Sequence, residues 1–294
     1  MNNRSTRVGT HLKQLALNIV TTNQLFTSQA NHIFNDRGVR ETINSLRKKD
    51  PEKWNRALSN EWGRLAQGNK YGVTATNTIT FIIKKSEIPN NAPITYASFV
   101  CNFRPLKSEP YRVRIVVGGD KLQYSEDAAS PTTDLLETKI LLNSTISDAS
   151  KGAKFLSADL KDFFLASPMK RPEFMKVHIS KFLPDIIQQY NLNELKDEKG
   201  FVYIKIQKGM YRLKQAALLA YLQLVTFLKS HGYYPEKHCM RIWSHKTRKT
   251  KFCLCVDDFG IKYFNKSDAD HLLTMRCNSI IRFLLTGLVK TTVV

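Results

Sequence analysis

Apolar residues recur at helical spacing at Trp54, Leu58, Trp62 and Leu65, between an Asp50-Pro51 start and a Gly68 stop. That pattern predicts a helix over 51–67 with its apolar stripe toward a core. Strict alternation replaces it at 111–117, where Tyr111, Val113, Ile115 and Val117 share one strand face and Arg112 and Arg114 the other. Gly118 and Gly119 end that strand, and runs of β-branched and aromatic residues predict further strands at 77–83 and 96–103. Downstream the pattern predicts a helix at 135–147, a strand at 154–160, and strands at 174–179 and 201–206 around a helical 184–190. A long helix over 213–231 stops at Gly232; strands follow at 241–245, 251–256 and 259–264, then a helix to about residue 275 capped by Ser267, with Asp270 at its third position. Antiparallel strands interleaved with a few long helices make an α+β fold.

Composition narrows the class. The chain has 294 residues, 42% of them hydrophobic, which excludes a disordered tail, a collagen-like repeat and a disulfide scaffold. Five scattered cysteines favour a reducing compartment, and no apolar run approaches the roughly 20 residues of a membrane span, so no membrane partner is expected. Against 25 acids stand 45 Lys and Arg, a net charge of +20 that suits a polyanion, nucleic acid first, although charge alone also admits an acidic membrane surface. Residues 1–40 form a separate segment with no acid before Asp36, read as poorly ordered, with an organellar transit segment as the alternative. No phosphate-binding glycine loop and no GxSxG is present, which disfavours P-loop ATPases, Rossmann enzymes and typical serine hydrolases.

The candidate chemistry lies in CVDDFG at 255–260, two adjacent aspartates in a turn between apolar strands. Asn-Gly or Asp-Gly would serve a turn alone. Two adjacent carboxylates repel each other and imply a hard divalent cation, although Asp-Asp in isolation also fits a surface turn. Asp159 ends the apolar strand in KFLSADLKDFFL, about a hundred residues earlier, so that Asp159, Asp257 and Asp258 can converge from strand ends. Carboxylates so placed suit two metal ions ~4 Å apart that activate an attacking hydroxyl and stabilise a leaving pyrophosphate.

FLSADLKDFFL at 155–165, KGMYRLKQA at 208–216 and CVDDFG resemble, in order and spacing, the palm motifs of the reverse transcriptase of copia-type LTR retrotransposons. The resemblance covers residues 41–275, including WNRALSNEWGRLAQG leading into the polymerase and the fingers-like YRVRIVVGGD. It implies fingers and an antiparallel palm sheet, with the thumb largely missing, and RNA-directed DNA polymerase activity toward a template and primer of RNA or DNA. It makes Asp159, Asp257 and Asp258 the catalytic ligands of two Mg²⁺ ions, with Mn²⁺ as a substitute. Phe164 would block the 2′-hydroxyl of an incoming nucleotide, Arg112 and Arg114 would face the triphosphate or template phosphates, and Lys214 and Gln215 would line the nucleotide and template side. It also implies an intracellular location, in cytoplasm or nucleus.

Two positions depart from the pattern: Arg212 replaces the expected glycine, and Cys255 stands where many relatives have tyrosine. After residue 275 the similarity fades, so 276–294 reads as a divergent tail. The chain ends 36 residues after Asp258, where the family continues into a thumb and a ribonuclease H domain, which predicts poor processivity. Two alternatives stay open: a catalytically inactive transposon remnant that keeps a basic nucleic-acid-binding fold, and a basic structural protein whose Asp-Asp turn is accidental.

Overall fold

The computed structural model describes residues 31–33, 40–82, 85–105, 107–122, 124, 130–131, 133–275 and 282–289, with 31–32 and 282–289 as backbone. Most of the 1–40 segment, Ile83 of the predicted 77–83 strand, and 276–281 and 290–294 of the tail lie outside the described residues. The chain runs β1 (Asn31–His32), α1 (Ile43–Lys49), α2 (Pro51–Leu65), β2 (Ile79–Phe81), β3 (Ile94–Phe103), β4 (Tyr111–Val117) and α3 (Leu135–Ser147). It continues through β5 (Lys154–Lys161), β6 (Pro168–His178), α4 (Pro184–Gln189), α5 (Leu192–Leu195), β7 (Phe201–Lys208) and α6 (Ala216–Ser230). It closes with β8 (Tyr233–Glu236), β9 (Cys239–His245), β10 (Thr250–Cys255), β11 (Asp258–Tyr263), α7 (Lys266–Thr274) and β12 (Arg282–Val289). The expected mixed α+β architecture is present.

Local chemistry accounts for the element ends. Asp50 caps α2, its carboxylate accepting from the Lys53 amide at 3.3 Å, with Pro51 at the first helical position. Asp134 and Glu137 form a reciprocal capping box at the start of α3. The final helix differs from the sequence reading: Asn265 is its N-cap, without a side-chain bond, and Ser267 lies inside the helix. Asp270 pairs instead with Lys266 one turn back, at 3.2 Å.

Two sheets carry the fold. The first has the order β1-β3-β6-β7-β2, with β4 also paired to β3. Its core is built with α1 and α2 around Trp62, which is fully buried and stacked on Phe182 with centroids 4.3 Å apart. The second sheet, β12-β5-β11-β10-β9-β8, is antiparallel throughout. Leu156, Ala158 and Leu160 of β5 and Phe259 and Ile261 of β11 pack with Leu224 and Leu228 of α6 and Leu272 of α7. The alternate residues Phe155 and Cys253 point to the opposite face and meet Leu141 of α3. Lys262, on that face, is almost fully buried and holds α3 through the Ser144 carbonyl at 2.9 Å and the Asp148 carboxylate at 2.6 Å. β12 was not anticipated from sequence, and it gives β5 a neighbour on each side.

The turn before α6 bears on the departure at residue 212. Arg212 has φ +71°, a left-handed conformation that costs an L-residue with a side chain about 1–2 kcal/mol. Its carbonyl sits so close to Gly119 that a Cβ at 119 would collide with it, and the Tyr211 carbonyl accepts from the Val117 amide at 3.1 Å. The backbone thus adopts at 212 the shape that suits glycine. Arg212→Gly is expected to raise stability by about 1 kcal/mol, less the extra chain entropy of glycine. A thermal midpoint that is unchanged or lowered in Arg212→Gly would contradict this reading of the turn.

Candidate active site

Register brings the acids together. In the β5/β11 ladder Asp258 lies directly opposite Asp159, and in the β10/β11 ladder Cys255 lies opposite Asp258. Opposed residues of an antiparallel pair share a face, so Cys255, Asp258 and Asp159 form a row across three strands. Asp257 stands in the hairpin beside that row, and its carbonyl accepts from the Leu160 amide at 2.8 Å, tying the hairpin tip to β5. The two turn residues are Val256 and Asp257, so Asp258 opens β11 rather than sharing the turn, one residue from the sequence expectation. Val256 has φ +61° while Asp257 does not turn positive, the mark of a type II′ hairpin that normally places glycine first. A β-branched residue there is strained, and strain of this kind concentrates at functional turns.

The electrostatics follow from crowding. Burial, with the negative charge of Asp257 second, pushes the Asp159 carboxyl up to about 6. Burial also lifts Asp258 to about 7, with Asp257 and Asp159 adding to it. Asp257 is raised by burial, against its own amide and Arg114. Lys107 opposes the shifts at Asp159 and Asp258, and Arg114 those at Asp159 and Asp257. The acids therefore feel one another across a low-dielectric cleft that also holds a cationic side.

That side comes from β4 and the β3–β4 connection. Arg112 and Arg114 alternate with buried Val113 and Ile115 as the sequence predicts. Arg112 donates to Glu109 at 3.2 Å, and the Arg114 guanidinium lies over the Tyr211 ring at 5.3 Å. The Nε groups of Arg104, Arg112 and Arg114 are buried without a hydrogen-bond partner among the described residues. Phe164 begins a short 3₁₀ turn after β5, and its ring meets Tyr211 edge-on at 6.2 Å. Tyr211 thus bridges the two predicted substrate contacts, Arg114 and Phe164. Gln215 is buried, its amide donating to Glu173 of β6 at 3.4 Å, whereas Lys214 is exposed. The Gln215 bond into the first sheet accompanies its burial. Cys253 is buried, whereas Cys255, two residues on along the same strand face, is exposed at the end of the acid row.

Tyr211, Arg104, Lys107 and the buried Glu61–Arg64 pair were missed by sequence reasoning. Glu61 left a trace there, a charged residue set among Trp54, Leu58, Trp62 and Leu65 on an apolar helical stripe. The other four left none, since their role comes from pairing across the fold.

The donor set fits a hard divalent cation in kind: three half-buried carboxylates in mutual repulsion, with few cations to offset them. Among the described residues, no group of three or more His, Cys, Asp or Glu is arranged so that it could hold a metal ion as it stands. Among them, too, no helix is long and apolar enough to cross a membrane.

No protein-family model matches the chain, and no curated protein does. Among solved structures, the chain is similar to an apo telomerase from Candida tropicalis truncated from its C-terminal domain, at 10% identity and a TM-score of 0.36, over 75% of this chain and 50% of that one. It is also similar to a telomerase from Candida albicans in complex with a TWJ fragment of telomeric RNA, at 12% identity and a TM-score of 0.37, over 72% and 45%. The chain thus spans about half the length of the solved structures it matches.

Proposed function

We propose that the chain is the fingers and palm of a copia-type reverse transcriptase, adding deoxynucleotides to a primer 3′-hydroxyl on an RNA or DNA template. The observation that carries this reading is the register that sets Asp258 opposite Asp159 with Asp257 in the adjoining hairpin. Asp159, Asp257 and Asp258 would hold two Mg²⁺ ions, or Mn²⁺, which when bound lower the pKa of the attacking hydroxyl and neutralise the leaving pyrophosphate.

The rest falls to the chain's own groups. Arg112 and Arg114, with Arg104 and Lys107, meet the triphosphate: guanidiniums on a rigid strand offer fixed charge-assisted donors, and three of their buried Nε groups await an acceptor. Phe164, braced by Tyr211 and Phe163, places a ring where a 2′-hydroxyl would need room. Lys214 is open to template phosphates, and Gln215 supports the turn from within. The 3′-oxygen attacks the α-phosphorus and the bond to the β-phosphate oxygen breaks, releasing pyrophosphate. Primer extension with Mg²⁺ and deoxynucleotides tests the reading; its absence in folded protein overturns it.

Phe164→Ala is expected to cut the preference for deoxy- over ribonucleotides by tens of fold, read as the ratio of kcat/KM for the two. An unchanged ratio would make Phe164 a packing residue only. The second reading, an inactive remnant that binds nucleic acid, is favoured by the strained Arg212 turn and by the lack, among the described residues, of a three-residue acid, His or Cys group arranged to hold a metal. Salt-sensitive binding without extension would establish it.

A further inference from the structure

Arg64, in the last turn of α2, has a side chain only 6% exposed and reaches carboxylates from three separate elements. Its Nη1 meets Glu61 Oε2 at 2.9 Å within the same helix. Its Nη2 donates to both Glu109 oxygens at 3.2 Å, in the connection between β3 and β4. Its Nε lies 3.8 Å from Asp162 Oδ1, three residues beyond Asp159.

Each partner passes the constraint on. Glu61 is fully buried, and its other oxygen accepts from the Ile115 amide at 3.3 Å, which fixes β4 against α2. Glu109 Oε2 also accepts from Arg112 Nη1 at 3.2 Å, and the Glu109 carbonyl accepts from Arg104 Nη2 at 3.2 Å. Asp162, at φ +55°, belongs to the turn that leaves the catalytic strand. Burial would raise Glu109, but Arg64 and Arg112 hold its carboxyl below the usual range. Burial lowers Arg104, with the like charges of Arg112 and Arg114 adding to it. Four guanidiniums (Arg64, Arg104, Arg112 and Arg114) thus face three carboxylates, and the positive charge left over lies on the strand that faces the catalytic acids.

We propose that Arg64 is a positioning residue: through Glu109 it sets Arg112 and Arg104 for an incoming triphosphate, and through Asp162 it ties that anion site to the strand bearing Asp159. The proposal rests on the polymerase reading. Its distinctive content is that a side chain with no place at the substrate governs substrate affinity by way of Glu109. A lysine keeps the charge but not the fork that engages three carboxylates at once.

The test measures the dissociation constant of a deoxynucleoside triphosphate on the full chain with primer–template and Mg²⁺, for wild type, Arg64→Lys, Glu109→Gln and the double variant. Each single variant is expected to weaken binding about tenfold with kcat at saturation kept within about threefold, and the double is expected to be no weaker than the worse single, because both act on one chain of contacts. Glu109 is 40% exposed, so Glu109→Gln decides the matter even where Arg64→Lys fails to fold. Binding by wild type, with Glu109→Gln within twofold of it or with the two effects multiplying in the double, overturns the positioning role and leaves the polymerase reading standing. Wild-type protein that neither binds the triphosphate nor extends a primer overturns both.

Discussion

Asp257→Asn is expected to lower Mg²⁺-dependent single-nucleotide incorporation by ~10³-fold or more while leaving the fold intact. The side chain belongs to a two-residue hairpin whose backbone is anchored independently: the Asp257 carbonyl, not its carboxylate, accepts from Leu160. Asparagine therefore keeps the turn and its shape and removes only the charge. On the proposed two-metal reading, several kcal/mol of transition-state stabilisation would depend on that charge, and each 1.36 kcal/mol is a factor of ten in rate. Nucleic-acid binding should survive, because the basic groups on β4 are untouched. Incorporation by Asp257→Asn within tenfold of wild type would sink the assignment of this hairpin to the chemistry.

The second large effect is on stability. Asp159 and Asp258 titrate near 6 and 7 in the folded chain, against 3.8 for an ordinary aspartate, so between about pH 4 and 7 the native state holds protons that the unfolded chain has lost. Raised carboxyl values make stability fall as pH rises through that window and level off above it. Asp159→Asn removes one crowded charge and relieves the other. It is expected to be more stable than wild type by on the order of a few kcal/mol at pH 8, with the gain shrinking toward zero near pH 4. The comparison is made between the two proteins because other groups titrate nearby: burial lowers His245 and His271, which act in the opposite sense below about pH 6.5. Asp148, held at about 2 by Lys151 and Lys262, acts only at lower pH. Urea midpoints at pH 4, 6 and 8 measure the difference, and a gain independent of pH would show that crowding is not its cause.

What was legible in the sequence was what repeats locally. The Arg112/Arg114 face followed from period-two alternation, and the α2 stripe from period 3.6. Asp159, Asp257 and Asp258 stood out because acids at the ends of apolar strands have no packing value. The turn was misplaced by one residue because a valine at positive φ is a choice local preference argues against. Arg64 and Glu109 were invisible for a different reason: 45 residues separate them, and only the folded β3–β4 hairpin makes them neighbours. Tyr211 likewise takes its role from Arg114 and Phe164, on two other elements.

The pairing of β5 with β11 also sets the order in which the protein is built. Its two strands lie about a hundred residues apart, and closing a loop of that length costs on the order of 4 kcal/mol of chain entropy before any contact is gained. The hairpin of β10 and β11 needs no such closure and can form early by itself. A pairing this distant slows folding, so the step that brings Asp258 to Asp159 comes late and is exposed to competition from other partners for the open edge of β5. During synthesis the three acids cannot meet until residue 258 has left the ribosome, so the acid cluster assembles only after both sheets' earlier strands are already made.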